Sequence, residues 1–532
     1  MPRDPTQLPR TATRAPRNPI QPSPDTIQPP RVLAIDIGTS SVRAILFDRS
    51  ARIASPAFQK TYDMDTTPDG GVFIDADRLA AEVGSVLDDF CAWSGQATGG
   101  LAGGGHPTGG HPTGGHPAID GVAMTTFWHN VVGVEGDRAV TPLISWADTR
   151  PGTAIPELAE RLDAPATHGR TGCVLHASYL PAKICWFART DPDTFARVER
   201  WMSIGEYLFL RWFGAPACSV SMASGTGLFN AHWCDWDDET LAALPVARDQ
   251  LTPVTDADEP VRGLKDEFAS RWSVLADASW YPAIGDGACN NIGSGCVDEG
   301  RIALMVGTSG AMRVMRRAQE FSIPEGLWCY RSDRRRILMG GALSNGGNVY
   351  GWMRDTLRLA GEQQVERDLG GMAPDSHGLT VLPFWAGERS PGWHDAARAA
   401  ITGMTLHTTP LDVMRASLEA TAYCFANIHD RLRSIWGDAV EIVASGAGLL
   451  QSPVWMQMLA DVLERPITAS TVTEASSRGA ALLALEASGA VEDLAAAPVP
   501  LGKTYAPDPA NRDSYREAMK RQQDLYDMMM DS

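Results

Sequence analysis

The feature that most constrains the fold is a pair of similar segments in separate halves of the chain. Residues 34–44 are AIDIGTSSVRA, and residues 304–314 are LMVGTSGAMRV. Each segment predicts a buried strand, a Gly-Thr-Ser turn and a second strand. The backbone N–H groups and hydroxyls of such a turn form a concavity that can hold phosphate. Two copies therefore predict a duplicated domain with a nucleotide in the cleft between the copies.

The two segments differ at one position that matters for chemistry. Asp36 of the first segment corresponds to Met305 of the second. A carboxylate at the end of a buried strand that faces phosphates is suited to bind, directly or through water, the Mg²⁺ that accompanies ATP. The alternative is an aspartate that caps its own turn. The turn residues predicted to hold the phosphates are Gly38, Thr39, Ser40, Gly307, Thr308 and Ser309.

Composition indicates a globular protein with two cores. The chain has 532 residues, of which 44% are hydrophobic and 21% charged. Its 64 acidic and 46 basic residues give a net charge of −18, which disfavours nucleic acid and anionic membranes as partners. The nine cysteines include no CxxC pair, and no apolar run approaches the ~18 residues that span a bilayer. We therefore expect a cytoplasmic protein with reduced thiols.

Two stretches are expected to lie outside the cores. Residues 1–30 are rich in Pro and Arg and predict a disordered tail, because the prolines oppose the amphipathic helix of a transit peptide. Residues 99–117 repeat a Gly-His-Pro-Thr-Gly unit that carries His106, His111 and His116. Metal binding is one interpretation of these histidines. A solvated loop insertion is the other, and we favour it because glycine and proline give the imidazoles no rigid scaffold.

The rest of the chain alternates short apolar runs with helical patterns, which is typical of α/β architecture. Apolar residues spaced by three, four and seven predict one long helix over Pro410–Trp436, ended by Gly437. A strand over Glu441–Ala444 follows. Helices are then predicted over Ser452–Glu464 and Ser476–Ser488.

From Arg31 to Gly489 the sequence resembles the FGGY carbohydrate kinases of the actin, hexokinase and Hsp70 superfamily, especially their gluconokinase-like members. Besides the two hairpins, the blocks that carry the resemblance are SWADTR at 145–150, RTG at 170–172, SMASGTGLFN at 221–230 and GDG at 285–287. The resemblance implies an α/β fold of two duplicated ribonuclease H-like (actin-like ATPase) domains with an interdomain catalytic cleft. It implies a sugar-binding domain at 31–297, a nucleotide-binding domain at 298–532, and the cofactors ATP and Mg²⁺.

The resemblance places the catalytic aspartate at Asp286, between Gly285 and Gly287. A carboxylate flanked by glycines allows close approach of the backbone to substrate, and it need only accept a hydroxyl proton during phosphoryl transfer. The alternative is an ordinary Asp-Gly turn.

The resemblance also implies an adenosine site at residues 444–451. The residues assigned to it are Gly446, Ala447, Gly448 and Gln451, with Asn345 near the nucleotide. A tight packing turn is the alternative for the glycines. The chain completes neither a Rossmann GxGxxG at this position nor a Walker A sequence, which leaves the two hairpins to hold ATP. We interpret Glu388 and Arg389 as an ion pair that braces a loop outside the site.

The resemblance places the sugar near the strand end at 125–130, where Trp128 and His129 are candidate contacts. The alternative for Trp128 is a core position. Asp148 is a candidate acceptor from substrate hydroxyls. A sugar acid would need a cation, for which Arg150, Arg170 and Lys183 are the candidates. The alternative is that Arg150 pairs with Asp148 and that Lys183 is a solvated helix residue.

Three functions remain open from the sequence. The first is transfer of the γ-phosphoryl group of ATP to gluconate, which gives 6-phosphogluconate. The second is the same mechanism on xylulose, glycerol or another polyol, and the third is a noncatalytic ATP-binding sensor. The expected partner is a small carbohydrate, and a homodimer is an assembly that the sequence leaves open.

Overall fold

The structure is a computed structural model that describes residues 31–99, 119–394, 396–437 and 440–530. The predicted tail at 1–30 and nearly all of the insertion at 99–117 lie outside these ranges. Within them, no helix is long and apolar enough to cross a membrane.

The N-terminal half is built on a six-stranded sheet in which the first predicted hairpin is central. Its strands are β1 (Val32–Ile37), β2 (Ser41–Phe47), β3 (Phe58–Thr61), β4 (Gly121–Thr126), β5 (Ser279–Trp280) and β6 (Ile284–Gly285). The order is β5-β4-β1-β2-β3, and β6 also pairs with β4. β1 runs antiparallel to β2 and parallel to β4, with Asp36 opposite Thr125. Parallel pairing brings the ends of β1, β4 and β6 to one edge of the sheet.

The C-terminal half repeats this arrangement in a seven-stranded sheet. Its strands are β7 (Arg301–Val306), β8 (Gly310–Arg317), β9 (Trp328–Arg331), β10 (Arg336–Leu343), β11 (Glu441–Ser445), β12 (Ile467–Ser470) and β13 (Leu501–Tyr505). The order is β9-β10-β8-β7-β11-β12-β13. As in the first sheet, the hairpin strands β7 and β8 are antiparallel, and β7 has a parallel neighbour, β11. The predicted duplication of the hairpin is confirmed.

The principal helices cover both sheets. They are α1 (Ala76–Gly99), α2 (Ile204–Phe213), α3 (Asp286–Gly293), α4 (Pro410–Trp436), α5 (Pro453–Leu463), α6 (Ala475–Ala487) and α7 (Arg512–Met530). The prediction for α4 is confirmed at both ends, where Thr409 caps the N-terminus and Gly437 the C-terminus. The predictions for β11, α5 and α6 agree with the structure to within one residue.

Shorter strands, helices and 3₁₀ turns complete the two halves. The strands are Asp65–Thr66, Val72–Ile74, Val132–Glu135, Arg138–Ala139, Leu143–Ile144, Arg200–Met202, Cys218–Ser219, Phe229–Asn230, Asp235–Trp236, Val254–Thr255, Thr380–Leu382 and Ala400–Thr402. The α-helices are Ile155–Arg161, Ala164–Thr171, Leu180–Thr190, Pro192–Arg197, Val220–Ser224, Asp238–Ala242, Asp266–Arg271, Gly347–Thr356, Glu362–Gly371 and Ala447–Leu450. Single 3₁₀ turns cover Arg150–Ala154, Arg248–Gln250, Ser273–Leu275, Leu494–Ala496 and Pro509–Asn511.

The two halves are joined by a close helix crossing. α6 belongs to the C-terminal half in sequence, yet its apolar residues pack into the core of the N-terminal sheet. A Cβ at Gly293 of α3 would lie 1.7 Å from the carbonyl oxygen of Ala475, and one at Gly479 of α6 would lie 1.8 Å from that of Cys289. Only glycine allows these backbones to approach so closely. The crossing fixes α3, and with it Asp286, against the second half of the chain.

Candidate active site

A cavity of about 520 Å³ lies between the two hairpins and collects most of the residues that the sequence assigns to a site. The predicted residues that line it are Asp36, Gly38, Thr39, Ser40, Trp128, His129, Asp286, Gly307, Thr308 and Ser309. Both Gly-Thr-Ser turns therefore face the same space. A cavity bordered by both copies of a duplicated phosphate-binding turn is suited to an anionic ligand that spans them.

Each turn is closed by a backbone hydrogen bond from its glycine. The N–H of Gly38 donates to the carbonyl oxygen of Ser41, and that of Gly307 to Ser309, each at 2.9 Å. The second turn is also packed closely from behind. A Cβ at Gly347 would lie 2.4 Å from the carbonyl oxygen of Gly307, and one at Gly446 would lie 2.4 Å from that of Val306. These glycines bring two helix N-termini against the second turn.

Asp36 is the carboxylate at the end of β1. Its residue is 9% exposed, and Oδ2 lies 3.9 Å from Nη1 of Arg43. Burial, followed by the negative charge of Asp286, raises the pKa of the Asp36 carboxyl to about 7, while Arg43 acts in the opposite direction. A carboxylate whose ionisation is opposed by a second, neighbouring carboxylate favours a cation between or beside the two. Asp36 therefore fits a hard divalent cation bound with phosphate, which typically takes one or two protein carboxylates.

Asp286 follows β6 directly and is the first residue of α3. Its Oδ1 accepts a hydrogen bond of 2.7 Å from the N–H of Gly287. Burial raises the pKa of the Asp286 carboxyl, and the positive charge of Arg313 is the largest effect that lowers it. A carboxyl held at a strand-to-helix junction with a raised pKa is suited to accept a proton from a substrate hydroxyl.

Trp128 explains the glycines on both sides of Asp286. A Cβ at Gly285 would lie 1.8 Å from Cε2 of Trp128, and one at Gly287 would lie 2.7 Å from Cζ3. The indole therefore packs flat on the Gly-Asp-Gly backbone, and its Nε1–H donates to the carbonyl oxygen of Ser221 at 3.0 Å. The sequence predicted close approach of substrate at these glycines. The structure instead fills that space with the Trp128 ring.

His129 is held as a neutral imidazole. Its backbone has a positive φ of 61°, and its Nδ1–H donates to the carbonyl oxygen of Gly225. Burial lowers the pKa of His129 to about 3. Lys183 is fully buried and donates to the backbone oxygen of His129, and burial lowers the pKa of Lys183 to about 7. The interpretation of Lys183 as a solvated helix residue is therefore wrong, and its ammonium supports His129.

The other predicted carboxylate-binding cations are engaged elsewhere. Arg150 forms a bidentate pair with Asp148, with Nε–Oδ1 at 3.0 Å and Nη2–Oδ2 at 2.6 Å. Arg170 pairs with Asp237 and Glu239. None of these residues lines the cavity. Asp148 and Arg150 therefore pair with each other away from the cavity wall, and their contacts with substrate stay a prediction.

The predicted adenosine residues lie behind the second turn. Gly446, Ala447, Gly448 and Gln451 do not line the cavity itself, although Gly446 packs on Val306. Asn345 has both ends of its amide engaged, since Nδ2 donates to Gly387 at 2.8 Å and Oδ1 accepts from Ala386 at 2.9 Å. Its side chain therefore braces the loop at 386–387. The nucleotide-binding role of these five residues stays a prediction.

Sequence reasoning missed several residues of the cavity wall. They are Arg43, Trp146, Ser178, Tyr179, Arg313, Trp328, Tyr330, Arg389 and Trp393. Trp146 lies inside the SWADTR block, where attention to charge favoured Asp148 and Arg150. Arg389 was interpreted as part of a bracing ion pair, but it lines the cavity, and its guanidinium carbon lies 5.1 Å from the ring centroid of Trp146. Glu388 accepts instead from the hydroxyl of Tyr526 at 2.8 Å.

Two sheets with the same hairpin, two phosphate-type turns and two aspartates around one cavity define a phosphotransferase of the actin-like type. Comparison with known proteins identifies the family. The N-terminal domain of the FGGY family of carbohydrate kinases matches residues 31–293, and its C-terminal domain matches residues 302–488. The chain belongs to the FGGY family of carbohydrate kinases and is an ATP-dependent sugar kinase.

Individual relatives within the family differ in their substrates. The chain is 28% identical to a gluconokinase of Bacillus subtilis over 412 residues, which are 75% of this chain and 80% of the relative. It is 28% identical to a glycerol kinase of Dechloromonas aromatica over 474 residues, 87% of this chain and 90% of the relative. A solved gluconate kinase structure from Lactobacillus acidophilus superposes with a TM-score of 0.84 at 24% identity and covers 94% of this chain and 98% of that one. The predicted two-domain fold is confirmed.

Proposed function

We propose that this kinase phosphorylates a sugar acid, with gluconate as substrate and 6-phosphogluconate as product. The observation that carries the proposal is the single cavity bordered by both Gly-Thr-Ser turns, by Asp36 and by Asp286. The turns are suited to the phosphates of ATP, and Asp286 is suited to the acceptor hydroxyl.

Asp286 acts as the general base in this proposal. Its carboxylate accepts the proton of the attacking hydroxyl as the oxygen approaches phosphorus, and the backbone N–H of Gly287 fixes its orientation. The raised pKa of Asp286 brings it closer to the working pH, which favours proton acceptance. The hydroxyls and N–H groups of the two turns hold the phosphoryl group from both sides, so that positioning supplies most of the acceleration.

Asp36 is the residue proposed to hold Mg²⁺. When bound with ATP, the ion supplies positive charge that neutralises the phosphate oxygens. Arg43, whose guanidinium is 3.9 Å from Asp36, adds a second positive charge at this end of the cavity.

Two observations support a sugar acid as the acceptor. A relative over three quarters of the chain is named a gluconokinase. The cavity also contains Arg313 and Arg389, which give an electropositive wall suited to a carboxylate. The alternative is a neutral polyol or ketose, which the aromatic walls formed by Trp128, Trp328 and Tyr330 suit equally well and which a glycerol kinase relative supports.

The proposed partner is therefore one small carbohydrate. A cytoplasmic location and a homodimer stay predictions.

The function is tested by measuring ADP release with MgATP against gluconate, other sugar acids, xylulose, ribulose, glycerol and tetritols. Release without sugar is the blank, and the Asp286→Asn variant controls for contaminating kinases. Selective turnover of gluconate supports the proposal. Preference for a neutral polyol refutes the acid, and ATP binding without turnover of any sugar favours the noncatalytic sensor.

A further inference from the structure

Arg313 occupies a position on β8 where a core residue would be expected. It lies opposite Ala303 of β7 and Gly340 of β10, in the middle of the seven-stranded sheet. Its neighbours Met312 and Val314 point into the C-terminal core, and Met315, two residues on, packs into the core of the N-terminal half. Side chains alternate along a strand, so Arg313 faces the N-terminal half and the cavity.

The guanidinium of Arg313 is buried and incompletely paired. The residue is 7% exposed, and its Nη1 has no hydrogen-bond partner among the residues that the structure describes. Its carbon Cζ would lie 3.3 Å from a Cβ at Gly287, which places it beside the residue that follows Asp286. Burial lowers the pKa of Arg313 to about 10, and the like charge of Arg389 acts in the same direction. A buried cation with an unused donor is costly unless a ligand completes it.

The charges divide the cavity into two ends. After burial, the charges that shift the pKa of Asp36, two residues before the first phosphate turn, are those of Asp286, Arg43 and Glu474. After burial, the groups that shift the pKa of Arg313 are Asp286, Arg389 and Tyr330. Arg43 lies 3.9 Å from Asp36, at the end proposed for nucleotide phosphate and Mg²⁺, whereas Arg313 lies beside Gly287.

The end that contains Arg313 has the walls of a sugar site. The ring centroids of Trp128 and Tyr330 are 4.9 Å apart in an edge arrangement, and those of Trp328 and Tyr330 are 4.3 Å apart in a stack. Aromatic faces are apolar surfaces on which the C–H groups of a carbohydrate can pack. An unused guanidinium donor within these walls is suited to an anionic group carried by the sugar.

We propose that Arg313 is the specificity-determining residue that binds the carboxylate of a sugar-acid substrate whose hydroxyl is presented to Asp286. The proposal rests on the function proposed above. Guanidinium and carboxylate form strong charge-assisted hydrogen bonds, and two bonds from one Arg fix orientation as well as affinity. Arg389, at the same end, adds long-range positive charge. Selection of the acid substrate is thus assigned to a residue of β8 in the seven-stranded sheet, and not to Arg150 or Arg170, which are paired.

The test compares two substrates that differ only in the proposed contact. D-Glucitol is gluconate with the carboxylate replaced by a CH₂OH group. The variant is Arg313→Gln, and Arg317→Gln on the same strand is the control, because Arg317 is exposed and pairs at 3.6 Å with Asp493. For each protein we would measure kcat/KM for both compounds, gluconate and glucitol binding by calorimetry, sugar-independent ATP hydrolysis and the melting temperature.

We expect Arg313→Gln to lower kcat/KM and affinity for gluconate roughly 10²- to 10³-fold, the loss expected when one partner of a buried charge pair is removed. Glucitol turnover and ATP hydrolysis should fall by a much smaller factor, because these reactions do not use the carboxylate contact and lose only the effect of Arg313 on the pKa of Asp286. Arg317→Gln should leave all four readouts unchanged. If Arg313→Gln does not fold, Arg313→Lys replaces it, and it should keep part of the gluconate preference because the charge remains.

An equal loss with gluconate, glucitol and water as acceptors would overturn the proposal and assign Arg313 to phosphoryl transfer. Full gluconate activity in a folded Arg313→Gln variant would overturn it as well, while leaving the proposed function intact. A wild-type protein that phosphorylates only neutral sugars and does not bind gluconate would refute both proposals together.

Discussion

Replacing Gly285 by alanine should disable the enzyme through Trp128 without touching the ATP end of the cavity. The added methyl group would lie 1.8 Å from Cε2 of Trp128, whereas ordinary contact begins at 3.4 Å. The ring or the backbone of residues 285–287 must therefore move by about 1.6 Å, since 3.4 − 1.8 = 1.6. Overpacking of this kind costs about 1–3 kcal/mol in stability. A displacement near 1 Å in a catalytic group can lower the rate about 10²-fold.

The assay is steady-state kinetics with the preferred sugar, together with a thermal melt and ATP titration. We expect kcat/KM for the sugar to fall about 10²-fold and the melting temperature to decrease. ATP affinity should stay within a few-fold, because Trp128 does not belong to either phosphate turn. The matched control is Gly169→Ala, at an exposed position of the helix Ala164–Thr171 where a Cβ would meet nothing within 4 Å.

A double mutant separates the steric cause from other effects. Trp128→Phe reduces the ring that the new methyl group strikes, so Gly285→Ala should cost less in that background than in the wild type. The reasoning would be refuted if Gly285→Ala kept wild-type turnover, or if the two substitutions were strictly additive.

Three further outcomes follow from the charges around the cavity. Because the pKa of Asp36 is raised from 3.8 to about 7, ionisation of Asp36 opposes folding increasingly as pH rises from 4 to 7. Asp36→Asn should remove up to about 4 kcal/mol of this penalty and raise the melting temperature at pH 8 but not at pH 4. Equal shifts of the melting temperature at both pH values would contradict this. The apparent KM for MgATP should rise about tenfold for each pH unit below 7, because protonated Asp36 cannot bind a cation. A KM that stays constant between pH 8 and pH 6 would exclude Asp36 as the Mg²⁺ ligand. Lys183→Met removes the hydrogen bond to the His129 backbone and should lower turnover of acidic and neutral sugars equally, by about fivefold, which corresponds to about 1 kcal/mol. A loss confined to acidic sugars would indicate that Lys183 contacts the substrate carboxylate.

The sequence predicted those parts of the fold that depend on local pattern. The hairpin repeat, the long helix Pro410–Trp436 and the phosphate-type turns were all predictable, because strand alternation, capping residues and Gly-Thr-Ser turns are written in neighbouring positions. The packing of α6 into the N-terminal core was not predicted, since the contacts of Gly293 and Gly479 join segments far apart in the chain.

The sequence located the cavity wall where residues belong to the duplicated turns, but it did not show which charged residues pair with one another. Asp36, Asp286 and Trp128 line the cavity as predicted. Arg150 and Asp148 pair with each other, and Lys183 donates a hydrogen bond to the backbone carbonyl of His129. Arg313 was present in the second repeat, three residues after Gly310, but its burial depends on the register of β8 between Ala303 and Gly340. Sequence alone does not report which cations remain unpaired.

The central claim is that Asp286 is the general base of a sugar kinase, and the most direct test is the Asp286→Asn variant. Asparagine keeps the shape of the side chain and cannot accept the hydroxyl proton. The account predicts that kcat falls by roughly 10²-fold or more while ATP affinity, measured by calorimetry, stays within a few-fold of the wild type. Turnover within a few-fold of the wild type would contradict the account and remove Asp286 from that role.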